Sequence, residues 1–355
     1  MTLRTANETS TLTKGAPLCP MFGRCGGCTF QDLTPADYLQ MKKNFVLSAL
    51  RANGLDVPVA DVWPLPAHSR RRATFEYRAG VVGFHQNKSH TLVPITACPV
   101  LTPKLEAFLP ALNRLAACVG GTGDVSVLMT DVGADVSFHP THDIRKHPKK
   151  GKVPKLSVAV LQDLMTLCTA TGVARLCFDG EVLYQAVILP FPPDCFMQPS
   201  VAGQGKLTEL VLSAVAEHRR VLDLFCGIGT FTEPLMQAGH TVLGMDITES
   251  AIDSLKKNGV PAQVRDLFRQ PVRTEQLADY DAVVLDPARS GARAQCEQLA
   301  LSTVPTVVMV SCNPITMAAD LKILTTGGYQ ILSIQPVDQF IYTKHLECVC
   351  VLQKM

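Results

Sequence analysis

The sequence predicts an α/β protein in three parts: an amino-terminal cysteine-cluster segment, a mostly β middle domain, and a carboxyl-terminal domain built on a helix-covered sheet. Three observations carry this. After residue 200, apolar strand-length runs alternate with helix-length segments, the pattern of a sheet buried on both faces. Between residues 73 and 199 the runs are shorter and separated by turn residues. Four cysteines, Cys19, Cys25, Cys28 and Cys98, fall before residue 100.

A chain of 355 residues is long enough for two or three domains and a sizeable core. A formal net charge of +2 excludes a binder that works by bulk charge but leaves room for local basic patches. The first fifteen residues are polar and lack the apolar stretch of a secretory signal. No apolar run reaches the roughly 18 residues of a membrane span. A cytoplasmic location with no membrane partner is expected, and no obligate protein partner is evident. Thirteen cysteines in such a chain do not read as a disulfide framework. They divide into buried hydrophobes, metal ligands and a nucleophile.

In order along the chain, residues 1–17 are small and polar and are expected to form a disordered tail. Residues 18–72 carry the first three cysteines and a helix. That helix opens at Thr34-Pro35, places Tyr38, Met41, Phe45 and Leu50 at roughly helical spacing, and stops near Asn53-Gly54. The middle domain, 73–199, holds strand-like runs at 75–84 and 90–95, paired around Gln86-Asn87-Lys88, and further runs at 124–129, 158–161 and 183–189. The last domain, 200–355, has strands at 220–225, 241–246, 262–265, 281–286, 306–312, 329–336 and 346–352. No helix-length spacer separates the final two, so they are expected to pair antiparallel.

The segment from Val221 to Phe231 follows a strand and precedes a helix. Gly227 and Gly229 allow a tight turn and close approach to a ligand. A dinucleotide site would want a third glycine where Thr232 stands. Asp223, before the loop, suits a cofactor with an amino group and no pyrophosphate. Asp246 ends the next strand, where an acidic residue binds ribose hydroxyls. Together these look like the S-adenosylmethionine motif of the Rossmann-like class I methyltransferases. Cys226 is expected to pack rather than react.

The fifth strand of this domain delivers Cys312, followed by Asn313-Pro314, and the fourth ends at Asp286-Pro287. Both reach the carboxyl rim, where α/β sheets place ligands. Here the resemblance becomes specific. Ser311-Cys312-Asn313-Pro314, Asp286-Pro287, His345-Leu346-Glu347 and the stretch from Cys19 to Cys28 together resemble the RNA 5-methyluridine methyltransferase family and its iron–sulfur members. The likeness runs in matching order from about residue 19 to the end. The chain departs from the family at Ala288 and Ile341, where proline is common.

The resemblance implies a concrete chemistry. C5 of uracil is a poor nucleophile towards a methylsulfonium. A thiolate adding to C6 makes C5 reactive, and the thiolate is the active form. Cys312 is the implied nucleophile. Glu347 matches the base that takes the C5 proton. Gln198, Phe231 and Asp286 match cofactor contacts.

Spacing alone leaves zinc and an iron–sulfur cluster both open for Cys19, Cys25, Cys28 and Cys98; the resemblance implies a [4Fe-4S] cluster. Arg70-Arg71-Arg72 and the basic stretch 145–152 are candidates for RNA phosphates. The target base must leave its stack to reach Cys312. The implied substrate is structured RNA, with 23S rRNA favoured and the tRNA T-loop as the alternative. Two further readings differ in class. An exocyclic-amine methyltransferase would want a rim Asn/Asp-Pro-Pro-aromatic motif, which Ala288-Arg289 do not provide. A non-catalytic metal-cluster RNA-binding protein would leave Cys312 and Glu347 without a purpose.

Overall fold

The computed structural model describes residues 13–141 and 156–355. In chain order its elements are α1 (Pro35–Ala52), β1 (Trp63–Pro64), β2 (Arg72–Arg78), β3 (Val81–His85), β4 (Leu92–Pro94), α2 (Pro103–Val119), β5 (Thr122–Thr130), β6 (Gly133–Pro140), α3 (Val158–Thr171), β7 (Val173–Phe178) and β8 (Glu181–Gln185). There follow α4 (Val201–Val215), β9 (Arg220–Leu224), α5 (Thr232–Gln237), β10 (Thr241–Asp246), α6 (Glu249–Lys257), β11 (Ala262–Val264), α7 (Thr274–Leu277), β12 (Ala282–Leu285), α8 (Arg293–Leu301), β13 (Thr306–Ser311), α9 (Pro314–Thr326), β14 (Tyr329–Asp338) and β15 (Glu347–Lys354).

The larger sheet has the order β1-β14-β15-β13-β12-β9-β10-β11. Strands β9 to β13 run parallel, and β15 enters antiparallel between β13 and β14. All of β12 and β13 is buried, which is why these strands read as unbroken apolar runs. The chain reverses its direction across the sheet between β9 and β12, so a crevice opens at their carboxyl ends. Helix starts follow from their caps. Ser200 accepts from the Gly203 N–H at α4, and Asn313 from the Ile315 N–H at α9, where Pro314 takes the first helical position.

The smaller sheet has the order β4-β3-β2-β5-β6-β7-β8. Helices α2 and α3 pack on each other and against it. This unit departs from the sequence reading at three places. The run 75–84 is not one strand: the chain turns at Ala79-Gly80, both left-handed (φ 46° and 82°), so β2 and β3 are themselves a hairpin. The run 158–161 opens α3, because Ser157 caps the Val160 N–H; a short apolar run has no period of its own. Helix α2 was missed, although Thr102-Pro103 is a start signal and Leu105, Leu109, Leu112 and Ala116 recur at helical spacing.

The amino-terminal part also differs. Residues 13–15 of the expected tail pair with 32–34, through Gly15 N–H to Asp32 O at 2.8 Å and Thr34 N–H to Thr13 O at 3.1 Å. Helix α1 packs against α9, and its Val46 and Leu50 share a core with Leu285 and Met309. Strand β1 extends the larger sheet beside β14. The basic stretch 145–152 lies outside the described residues. Among the described residues no helix is long and apolar enough to cross a membrane.

Candidate active site

Strand β9 leads into a turn in which Phe225, Gly227 and Gly229 are all left-handed, at φ 63°, 54° and 87°. The positive φ at Gly229 makes this turn need glycine for conformation, and a Cβ there would lie 2.6 Å from Leu255 Cδ2 and displace that side chain. Asp246, at the end of β10, ties the turn down. Its carboxylate accepts from the Gly227 N–H at 3.1 Å and the Thr248 N–H at 2.8 Å. Asp223 is buried within β9. Its Oδ2 accepts from the Thr232 hydroxyl at 2.5 Å, while Oδ1 has no partner. Burial pushes this carboxyl up to about 7, against the Thr232 hydrogen bond.

The structure separates two aromatic residues of this turn. Phe231 is 1% exposed and packs in the core with Val221 and Val284, so its ring does not line the crevice. Phe225 is half-buried at the rim and leans on Phe268, with ring centres 5.3 Å apart. Sequence reasoning passed over Phe225. The available signal was its place directly after the last residue of β9.

Three reactive side chains meet on the same rim. Leu285 pairs with both Leu224 and Met309, so Asp286 emerges beside the turn. Ser311 pairs with Cys348, which sets Cys312 and Glu347 one step further along the same two strands. Cys312 is half-buried and Glu347 is buried. Burial raises the Cys312 thiol to about 11; Glu347 and Asp286 push the same way and Arg289 opposes them. Burial lifts Glu347 to about 7, opposed by a hydrogen bond with Gln339 and by Arg289. Enclosure by the protein, and then the nearby Glu347, holds Asp286 well above the usual carboxylate range. Near neutral pH the site therefore contains a protonated thiol and a carboxyl poised to exchange a proton.

Gln198 is buried, and its Oε1 accepts from Gln339 Nε2 at 2.7 Å. Gln339 thus holds Gln198 and lies near enough to Glu347 to oppose the rise of its carboxyl. Its own Oε1 and Glu347 Oε2 are buried without a partner, and such acceptors are costly to leave unmatched. Sequence reasoning missed Gln339, because only the fold brings residues 198 and 339 together.

The arginines proposed for phosphates are largely committed elsewhere. Arg71 donates to the carbonyl of Gln198 at 3.2 Å and to Gln204 Oε1 at 2.7 Å. Arg72 lies over the Phe196 ring at 5.3 Å, and Arg70 over Phe340 at 5.6 Å. They brace the segment that carries Gln198 and the turn after β14.

Cys19, Cys25, Cys28 and Cys98 line one cavity of about 70 Å³, together with Arg70, Gln31 and Ile341. The Gly26 N–H donates to the His85 carbonyl at 2.8 Å, and a Cβ at Gly26 would also lie 2.8 Å from that oxygen. The cysteine loop is thereby fastened to β3 with no room for a side chain. Burial pushes Cys28 up to about 11, and the thiols of Cys98, Cys25 and Cys19 add to it. Among the described residues no group of three His, Cys, Asp or Glu side chains is gathered to hold a metal ion.

With this geometry in view, the likeness to known proteins is decisive. The family model described as tRNA (uracil-5-)-methyltransferase matches residues 179–273 and 261–355. An RNA methyltransferase of Agrobacterium fabrum is 36% identical, over 95% of this chain and 86% of its own length. The 23S rRNA (uracil(1939)-C(5))-methyltransferase of Edwardsiella ictaluri is 30% identical, over 95% of this chain and 82% of its own. The chain belongs to the RNA 5-methyluridine methyltransferase family. As a member of that family it is an S-adenosylmethionine-dependent RNA (uracil-C5)-methyltransferase. The crystal structure of the Pyrococcus abyssi tRNA (uracil-54, C5)-methyltransferase with S-adenosyl-L-homocysteine superposes with a TM-score of 0.66 at 23% identity, covering 92% of this chain and 86% of that one. This 5-methyluridine methyltransferase therefore has the class I methyltransferase fold, joined to a second, smaller sheet.

Proposed function

We propose that this enzyme methylates C5 of one uridine in 23S ribosomal RNA, with Cys312 as covalent nucleophile and Glu347 as proton acceptor. The observation that carries the chemistry is the placement of a half-buried thiol and a buried carboxyl on adjacent strand ends at the crevice rim. The ribosomal target rests on the likeness to 23S rRNA enzymes over nearly the whole chain.

Cys312 gives its proton to water, its sulfur bonds to C6, and the electron pair of the C5–C6 double bond moves onto the C4 carbonyl oxygen as an enolate. S-adenosylmethionine supplies the methyl group that C5 then takes. Glu347 removes the C5 proton, the double bond re-forms, and the Cys312 thiolate leaves. Asp246 and the turn at Gly227 and Gly229 fit the ribose side of the donor. The unpartnered Asp223 Oδ1 fits its amino group. Gln198 and Asp286 border the reacting centre. The aromatic contact assigned to Phe231 falls to Phe225, since only the latter reaches the rim. The smaller-sheet unit, residues 73–199, and the cysteine segment are assigned to RNA contact.

Cys19, Cys25, Cys28 and Cys98 are assigned to a [4Fe-4S] cluster. One zinc ion draws four sulfurs to bonds of about 2.3 Å, whereas a cubane binds each thiolate at a separate corner. Four thiols around one cavity fit the wider group, which the resemblance of the Cys19–Cys28 stretch also favours. Anaerobically purified protein is expected to contain iron and sulfide, lost together in Cys28→Ser. Stoichiometric zinc without sulfide in the parent would overturn the assignment.

A second reading, a uridine of the tRNA T-loop, is favoured by the description of the matching family model. Mapping 5-methyluridine in RNA from cells with and without the gene decides between them. One 23S rRNA position is expected to lose its methyl group. Loss confined to tRNA would establish the second reading instead.

A further inference from the structure

The turn between β14 and β15 carries Gln339 at its start and delivers Glu347 at its end, and helix α1 grips it from outside the site. Lys42 is fully buried. Its ammonium donates to Asp338 Oδ1 at 2.7 Å, to the Phe340 carbonyl at 3.3 Å and to the His345 carbonyl at 2.6 Å. All three of its protons are used, and they reach both ends of the turn. One helical turn away, Tyr38 donates to Asp338 Oδ2 at 2.5 Å and accepts from the Tyr342 N–H at 2.7 Å. Tyr342 is a non-glycine residue at φ 59°, a conformation that persists where surroundings impose it. The 29–30 segment adds two more bonds, from the Thr29 and Phe30 N–H groups to the Tyr342 carbonyl.

We infer that Tyr38 and Lys42 are positioning residues for uracil-C5 methylation: by clamping the 339–346 turn, they hold Glu347 and Gln339 in the site. A buried ion pair replaced by apolar groups of similar size often leaves a fold no less stable, but here the exchange also takes the donor from the Phe340 and His345 carbonyls and the acceptor from Tyr38. What such replacement removes is the directional grip of one ammonium on three points, Asp338 and the carbonyls of Phe340 and His345. The inference rests on the assignment of Glu347 as the base.

The test uses two chains, the double variant Lys42→Met/Asp338→Leu and the single variant Tyr38→Phe. Each is assayed on RNA from cells lacking the gene. The double variant is expected to fold but to melt below the parent, because it strands the Phe340 and His345 carbonyls and the Tyr38 hydroxyl, with kcat down on the order of 100-fold, KM for RNA unchanged, and methylated protein–RNA adduct accumulating. Tyr38→Phe is expected to lose about 10-fold in kcat, again with KM unchanged. A folded double variant with parental kcat, or a loss that falls in KM, would overturn the inference. If the double variant does not fold, the same split in Tyr38→Phe decides. Glu347→Gln is run alongside. If that chain releases product normally, the base assignment fails and the clamp inference falls with it; if that chain traps adduct while the clamp variants keep parental kcat, the clamp inference alone fails.

Discussion

Cys312→Ala is expected to abolish methyl transfer while leaving the fold and donor binding intact. Cys312 follows the last residue of β13 and is only half-buried, so trimming it to alanine leaves the packed strand untouched. Its removal takes away the only proposed route to a reactive C5. Loss of a covalent nucleophile lowers turnover by about 10⁴-fold or more. Transfer of labelled methyl to RNA lacking the modification measures this, and a denaturing gel reads the adduct. Retained activity in a folded Cys312→Ala chain would exclude covalent catalysis by this cysteine.

Glu347→Gln is expected to methylate once and then fail to let go. The amide fills the same space and still meets Gln339, so attack and methyl transfer proceed. Without a base for the C5 proton, the Cys312 sulfur stays on C6. Turnover falls by about 10²–10⁴-fold, and the methylated adduct becomes the main species. In the parent, burial raises Glu347 to about 7. A base acts only when deprotonated, so the release rate rises with pH through that value and then levels. Asp286 shares the titration, and the observed midpoint belongs to the pair. The pH limb is expected to vanish in Glu347→Gln. Free product from that variant at the parental rate, with no adduct, would remove Glu347 from the role.

The larger sheet was legible because fully buried parallel strands have no period to misread. Strand β10 appears where the apolar run ends at Asp246, and β12, β13 and β15 lie within a residue or two of their expected limits. The smaller unit was less legible. Its first apolar run is broken by the hairpin turn at Ala79-Gly80, and Val158–Thr171 starts with a run that suits either strand or helix. The site divides in the same way. Cys312, Asp286 and Asp246 sit at strand ends that the sequence marks. Phe231, by contrast, is 1% exposed in the core, whereas Phe225, directly after β9, is half-buried.

The residues alone determined which chemistry this chain carries: the glycine turn after an apolar strand, an acid closing the next strand, a cysteine before Asn-Pro, and a carboxyl at the head of the final strand. Each is a short-range pattern whose meaning depends on neighbours along the chain. Tertiary structure alone decided what surrounds those groups. Gln198 meets Gln339 across 141 positions, and Lys42 meets Asp338 across 296. Contacts between groups so far apart depend on how the elements dock, and no local period or turn signal encodes them. The three arginines at 70–72 show the same limit, because a charge run reads as surface until packing turns it inward.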